Sequence, residues 1–493
     1  MRLNRSLSLL GVIAAATIGT ALAVPSSAQP GAGDGLEARS ALSVRAAADR
    51  VTLPKSGGWV QLGNLGAYLI AGDEPFEVEV RRESYSEPVT ANWIRSDGSK
   101  VPFTRAMVSD FRKFRGFFQI RVRNLDGRLV AHQQHGLCPN RYSASRAHPD
   151  APDRSPYPDS CGGGWMPWTI GSFWGLQAGW GVKAPGSRAK LPVGRYVATV
   201  RIDEDYRRLL GIPADVAYDR INLRVVKGMD ECEEHRGCRV GDAGDTGAEQ
   251  AATHQPAAAE PTGDDRPLAG DPLPDLRSLP AWGIGVHQGN VLHFSANVWN
   301  AGPSTLVVDG FRRQSEDVMD AYQYFYDEDG NPTGSAEIGT MIWHAAKSHH
   351  HWHFLDFARY RLLDADKESV VRSRKQSFCL ANTDAIDYTV PGANWHPWNT
   401  DLSTACGGFN ALSVREVLDV GSGDTYGQWR AGQAFSLKGL PNGKYFIEVM
   451  ANPTGNLHEP DETNNVAYRK IFIGGTPGHR TVRVPPVGLI DVK

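Results

Sequence analysis

Net charge is almost absent. Fifty-two Lys and Arg against 55 Asp and Glu leave −3 over 493 residues. Such a chain sets up no field strong enough to draw nucleic acid or an anionic membrane, so neither is an expected partner. Long apolar runs are also missing, apart from one at the extreme N-terminus. Cysteine is scarce, at six. What the chain has instead is turn chemistry: 53 glycines and 31 prolines favour short strands over long helices. Its 41% hydrophobic content is ordinary for a globular protein and excludes a wholly disordered chain.

The N-terminal run reads as a secretory signal over residues 1–28. Arg2 and Arg5 precede an apolar stretch from Leu9 to Leu22, and Ala21-Leu22-Ala23 and Ser26-Ser27-Ala28 offer small-residue cleavage sites. Export places the cysteines in an oxidising compartment, where an even count suggests disulfides. Local pairing predicts Cys138–Cys161, Cys232–Cys238 and Cys379–Cys406.

Two ordered blocks follow, at 46–239 and 274–474. In both, short alternating or β-branched segments such as Phe76-Glu-Val-Glu-Val80 and Tyr196-Val-Ala-Thr-Val-Arg-Ile202 read as strands. Between them, residues 240–273 lack aromatics and are rich in Ala, Gly, Asp, Glu, Thr and Pro, the composition of a flexible linker. A Pro/Gly-rich tail, 475–493, closes the chain. The blocks share ordered matches: Leu191-Pro-Val-Gly-Arg-Tyr196 with Leu440-Pro-Asn-Gly-Lys-Tyr445, Ile170-Gly-Ser172 with Val420-Gly-Ser422, and Cys138-Pro-Asn140 with Cys379-x-x-Asn382. The expected fold is therefore all-β: two β-sandwich domains related by a divergent duplication and joined by a disordered linker.

The densest chemistry lies in Trp343-His344-Ala-Ala-Lys-Ser-His349-His350-His351-Trp352-His353. On a strand, His349, His351 and His353 share one face and His350 points away. Three imidazoles suit Cu(II), Zn(II) or Ni(II) better than Ca(II) or Mg(II). A straight strand would hold the outer pair roughly 13 Å apart, so one ion requires a twist, a bulge or only two of these ligands. The plainer reading is a solvated histidine tract.

Here the sequence resembles the lysyl oxidases, secreted copper amine oxidases. His349-x-His351-Trp352-His353 is similar to the family's copper motif, Phe357-Ala-Arg-Tyr-Arg-Leu-Leu-Asp364 to the segment that follows it, and Lys375-Gln-Ser-Phe-Cys-Leu380 to K-A-S-F-C-L. Asp424-Thr-Tyr426 with Gln428-Trp429 resembles D-T-Y followed by Q-W, and Glu459-Pro-Asp-Glu-Thr-Asn-Asn465 resembles E-S-D-Y-T-N-N. The resemblance spans roughly 274–474 and implies copper(II) on His349, His351 and His353. It also implies a lysine tyrosylquinone cofactor made from Lys375 and Tyr426. Primary amines, either protein lysine side chains or small amines, would then be oxidised by dioxygen to aldehydes, with release of peroxide and ammonia. Burial would keep Lys375 neutral enough to react. Taken singly, Lys375 reads as a surface lysine and Tyr426 as a core tyrosine. The general base is unassigned between Asp424 and Asp356.

The resemblance further implies calcium on Asp275, Glu459, Asp461, Asn464 and Asn465, hard oxygen donors that equally well serve a metal-free Asx turn. This block has only two cysteines, Cys379 and Cys406, fewer than animal members, and carries an extra Pro391-to-Trp398 segment. In the first block, alignment of Phe117–Asp126 with Leu355–Asp364 puts Phe111, Lys113 and Arg115 at the histidine positions. Gln134 falls at the lysine and Leu176 or Gln177 at the tyrosine. A first block without a redox site is expected. The competing class is a non-enzymatic metal-binding or adhesion sandwich, which needs neither Lys375 nor Tyr426.

Overall fold

Alternation in the sequence becomes layering in space. In the strand Phe76–Arg81, Phe76, Val78 and Val80 are buried while the residues between them are partly exposed. The same two-residue period runs through Gly194–Ile202, where Tyr196, Ala198, Val200 and Ile202 point into the core. The computed structural model describes residues 42–140, 144–152, 154–163, 166–228, 259–313, 316–344, 350–372, 375, 377–396, 406–430 and 432–487. Among them the architecture is all-β. The one α-helix, Glu204–Leu209, is capped by Asp203, whose side chain accepts from the Asp205 amide. The signal segment and Cys232–Cys238 lie outside the described residues.

The first block builds its core around Phe114, Phe117, Phe118, Trp174 and Tyr206. Trp174 is fully buried, and its Nε1 donates to the Cys161 carbonyl at 2.9 Å. The second block buries a separate core that includes Phe294, Trp352, Tyr360, Phe378 and Tyr426.

The two blocks pair strands in a common register. Around Gly194–Ile202, Tyr196 faces Leu223 on one side, while Val197 faces Arg123 and Ile202 faces Phe118 on the other. Around Gly443–Ala451, Tyr445 faces Ile471, Phe446 faces Leu363 and Ala451 faces Ala358. In a second sheet of each block, Trp174, Gly175 and Leu176 face Val78, Glu77 and Phe76; Asp424, Thr425 and Tyr426 face Val298, Asn297 and Ala296. The tyrosines at the matched turns make the same bond: Tyr196 donates to the Pro192 carbonyl and Tyr445 to the Pro441 carbonyl, each at 2.8 Å. Two local disulfides follow the same plan, Cys138–Cys161 and Cys379–Cys406, with Cα atoms 5.9 and 5.8 Å apart.

Two segments differ from the expected linker and tail. Residues 259–273 lie along the second block. The Asp265 amide donates to the Ser335 carbonyl at 2.7 Å, Thr333 donates to Asp271 at 2.7 Å and Tyr322 donates to Glu260 at 3.0 Å. A polar segment that cannot bury area of its own is ordered here by a strand that supplies its partners. In the tail, Val466–Thr476 continues past residue 474 and pairs with His479–Arg483, Thr476 facing His479 across a two-residue turn. Pro477-Gly478 is hairpin chemistry, with Gly478 at φ 85°.

The shared turn bond gives a stability expectation. Tyr196→Phe and Tyr445→Phe should each lower stability by about 1 kcal/mol, the net value of one hydrogen bond. Urea-denaturation midpoints would read it, and unchanged midpoints in both would show that the matched bonds contribute nothing.

Candidate functional site

The histidine strand is the short element His351–Leu355, which pairs antiparallel with the end of Pro332–His344. Met341 faces Phe354, Ile342 faces His353, Trp343 faces Trp352 and His344 faces His351. The strand is held from the far side too, where the Trp352 amide donates to the Cys406 carbonyl and its indole to the Gly408 carbonyl, both at 3.0 Å. His351 and His353 are buried, with ring centroids 4.7 Å apart, as residues two apart on one face should be. His350 is exposed. A histidine that sequence spacing passed over joins them: the His344 ring stacks on His353 at 4.9 Å. Burial, then the nearby Lys375 charge, hold His344 below the usual imidazole range, which favours its neutral, ligand form. His349 lies outside the described residues. Among the described residues no three of His, Cys, Asp or Glu are arranged to hold a metal ion. Their chemistry fits copper all the same. His353 bonds through Nδ1 to Ser377 Oγ at 3.0 Å, the kind of outer contact that fixes an imidazole so that Nε2 serves as ligand.

Ser377-Phe378 links this cluster to a second one. Phe378 faces Phe354 and Ser377 faces Leu355, so the pair sits beside the histidine strand. Two residues earlier, Lys375 is buried, with its Nζ 4.1 Å from the centre of the Tyr426 ring. Phe378 meets the same ring edge-on at 5.0 Å. The Tyr426 hydroxyl donates to the Cys379 carbonyl at 3.0 Å and accepts from the Cys379 amide at 2.9 Å. Burial above all, then Asp424, pushes the phenol well above its ordinary range, so it is neutral. Burial pushes the Lys375 amine down to about 8; Asp424 opposes that shift and Arg430 adds to it.

Tyr426 ends the strand Ser422–Tyr426, which is buried at every position. Asp424, two residues earlier, shares its face. Among the described residues neither Asp424 carboxylate oxygen accepts a hydrogen bond, and burial raises the group well above the usual carboxylate range against the pull of Lys375 and Arg430. Asp356 occupies an exposed turn at φ 61°. On the adjacent strand, Asp384 is pushed up to about 6 by burial, with the Thr425 and Thr383 hydroxyls opposing.

The five oxygen donors of the calcium motif come together. Asn464 Nδ2 donates to Asp275 at 2.9 Å and to Asp461 at 3.3 Å. Glu459 accepts from Asn465 at 2.6 Å and from the Leu276 amide at 2.8 Å. Arg277 pairs with Asp275 at 2.8 Å. The cluster is thus knit by its own hydrogen bonds and an ion pair, and calcium there stays a proposal. In the first block, strand register puts Leu176 opposite Phe76, where Tyr426 stands opposite Ala296. That position has no phenol.

The family model for lysyl oxidase matches residues 327–479. Protein-lysine 6-oxidase of Homo sapiens is 32% identical over 126 residues, 25% of this chain and 26% of that protein. Lysyl oxidase homolog 4 of Mus musculus is 30% identical over 128 residues, 26% of this chain and 15% of its own length. Lysyl oxidase homolog 3B of Danio rerio is 29% identical over 127 residues, 26% of this chain and 14% of its own length. The chain therefore spans about a quarter or less of these relatives. The clustered histidines, the buried lysine and the tyrosine beneath it all fall inside residues 327–479, the stretch that matches the lysyl oxidase family model.

Proposed function

We propose that this protein is an exported amine oxidase. It converts primary amines, either protein lysine side chains or small amines, to aldehydes, with one dioxygen and one water consumed and one peroxide and one ammonia released per turnover. The observation that carries this reading is the buried Lys375 amine lying over the Tyr426 ring. A metal-binding or adhesion module gains nothing from burying a lysine against a tyrosine, and desolvating an ammonium is costly. His351 and His353, with His344 or His349, would hold copper(II), which supplies the one-electron chemistry for oxidation of the phenol by dioxygen. Lysine tyrosylquinone, made from Lys375 and Tyr426, would supply an electrophilic carbonyl to the substrate amine.

The protein's own groups prepare that chemistry. The amide and carbonyl of Cys379 hold the Tyr426 oxygen from both sides and limit rotation of the ring. Burial leaves a sizeable neutral fraction of Lys375 near pH 8, and only the neutral amine has a lone pair to form a bond with the ring. Asp424 is the general base of this proposal: its carboxyl group is buried two residues before Tyr426 on the same strand face, where a proton acceptor can reach the reacting pair. Export accords with the two disulfides and the N-terminal signal pattern.

Three results are expected. His351→Ala should remove most copper, measured by elemental mass spectrometry, because two imidazoles hold the ion far less well than three; His350→Ala should retain it. Equal loss from both would reject the ligand assignment. Tyr426→Phe and Lys375→Ala should each abolish peroxide production with primary amines and the visible quinone absorbance while copper stays bound, and full activity in either would refute the cofactor. Asp424→Asn should keep the quinone absorbance and lower kcat by about 10²- to 10⁴-fold, the usual worth of a positioned base; an unchanged kcat would exclude Asp424 from that role.

A further inference from the structure

The strand carrying Tyr426 has two edges, and one of them is secured by the first block. On one edge lies Val291–Asn300. On the other runs the segment 383–388. Asp384 faces Gly423 and Ala385 faces Ser422; the Ile386 and Asp387 amides donate to the Gly421 carbonyl at 2.9 and 3.0 Å. The Thr425 amide, next to Tyr426, donates to Thr383 Oγ1 at 2.7 Å. The far side of that segment is bonded to the first block. The Ile170 amide donates to the Ile386 carbonyl at 2.6 Å, the Tyr388 amide to the Gly171 carbonyl at 3.0 Å, and Thr169 Oγ1 to the Ala385 carbonyl at 3.1 Å. Gly171 and Asp387 form a parallel bridge. Backbone hydrogen bonding thus crosses from first-block residues 169–171 through 383–388 to the Tyr426 strand.

Side chains close the seam on both sides. Met166 and Trp168 of the first block pack in one buried cluster with Leu279, Trp299 and Ile386 of the second. Trp395, from the extra segment noted in the sequence, stacks on Phe173 at 4.2 Å and on Tyr157 at 6.3 Å. The approach at Gly171 is close enough that a Cβ there would lie 2.6 Å from both Thr389 Cγ2 and Oγ1 and would also strike the Asp387 carboxylate. The pinned segment runs on directly from Lys375, Ser377 and Cys379, so one stretch of chain supplies the amine, the clamp on the phenol and the seam.

We infer that the first block is a built-in partner of the catalytic block: by holding residues 383–396 it positions the Tyr426 strand against Lys375, and cofactor formation depends on it. The inference rests on the amine oxidase reading only in its last clause. Thr169, Gly171 and Trp395 are positioning residues, remote from the reacting atoms.

The test uses full-length Gly171→Val and Trp395→Ala, which alter the seam and leave both cores untouched. Hydrogen exchange is read first. Amides of 383–388 and 421–426 should exchange at least about tenfold faster, the effect of losing about 1.4 kcal/mol of local protection. Strands 194–202 and 443–451 should stay protected. Unchanged exchange at 421–426 in both variants would overturn the positioning role, whether or not the wild type makes a quinone. The second reading is the yield of covalently linked Lys375 and Tyr426 peptides after copper loading in air, by mass spectrometry. It should fall at least about fivefold with copper content retained. Faster exchange with undiminished cross-link would overturn the dependence of cofactor formation on the seam. A wild type with no cross-link would instead reject the amine oxidase reading and leave the exchange result standing.

Discussion

A strand that reads Ser-Gly-Asp-Thr-Tyr is buried at all five positions, and the rest of the second block is arranged around that constraint. Polar groups taken out of water must find partners or cost several kcal/mol each in an apolar setting. Thr425 finds Asn297 and Thr383, the tyrosine oxygen finds the Cys379 backbone, and the strand edge finds residues 383–387. Asp424 is left without a hydrogen bond among the described residues, near a lysine whose amine burial pushes down to about 8. Replacing two such buried groups together by apolar residues is often neutral or stabilising, so their retention points to a role other than stability. Strain of this kind concentrates where chemistry is done.

How much of this could be read in the chain beforehand follows contact range. Strand alternation and turn residues are local signals, and they indicated an all-β protein. The pairs Cys138–Cys161 and Cys379–Cys406 close short loops and were readable from spacing. That His351 and His353 share a face follows from the two-residue period of one strand. His344 required knowing that Pro332–His344 and His351–Leu355 pair antiparallel, which brings it opposite His351. Asp424 and Asp356 are each close in sequence to a proposed site residue, and only burial separates them. Composition misled once. Residues 259–273 look like linker because they carry no aromatics and few apolar residues to bury, yet a neighbouring strand orders them. The Pro-Gly pair of the tail marks a hairpin. The seam was invisible because its partners are far apart in the chain: Gly171 and Asp387 by 216 residues, as are Thr169 and Ala385.

Repetition of one register in two blocks also shows what a sandwich can lose and keep. Where the second block has Asp424 and Tyr426, the first has Trp174 and Leu176, apolar and fully buried. The pairing geometry is the same, while the first-block strand is an ordinary core strand whose indole and serine donate to the Cys161 carbonyl. What separates the two blocks here is the side chains at a few positions of a strand that both build.

The strap at residues 259–273 has a further consequence. His351–Leu355 covers only the 341–344 end of the long Pro332–His344 strand. Along the other end, Asp264 and Asp265 take up the backbone of Ser335 and Glu337. Without them that stretch would present an open row of donors and acceptors to any other chain, the usual starting point of edge-to-edge aggregation. The connection between the blocks therefore doubles as a guard on a sheet edge. Cleavage upstream of residue 259 would leave the guard in place, and cleavage downstream of residue 271 would remove it.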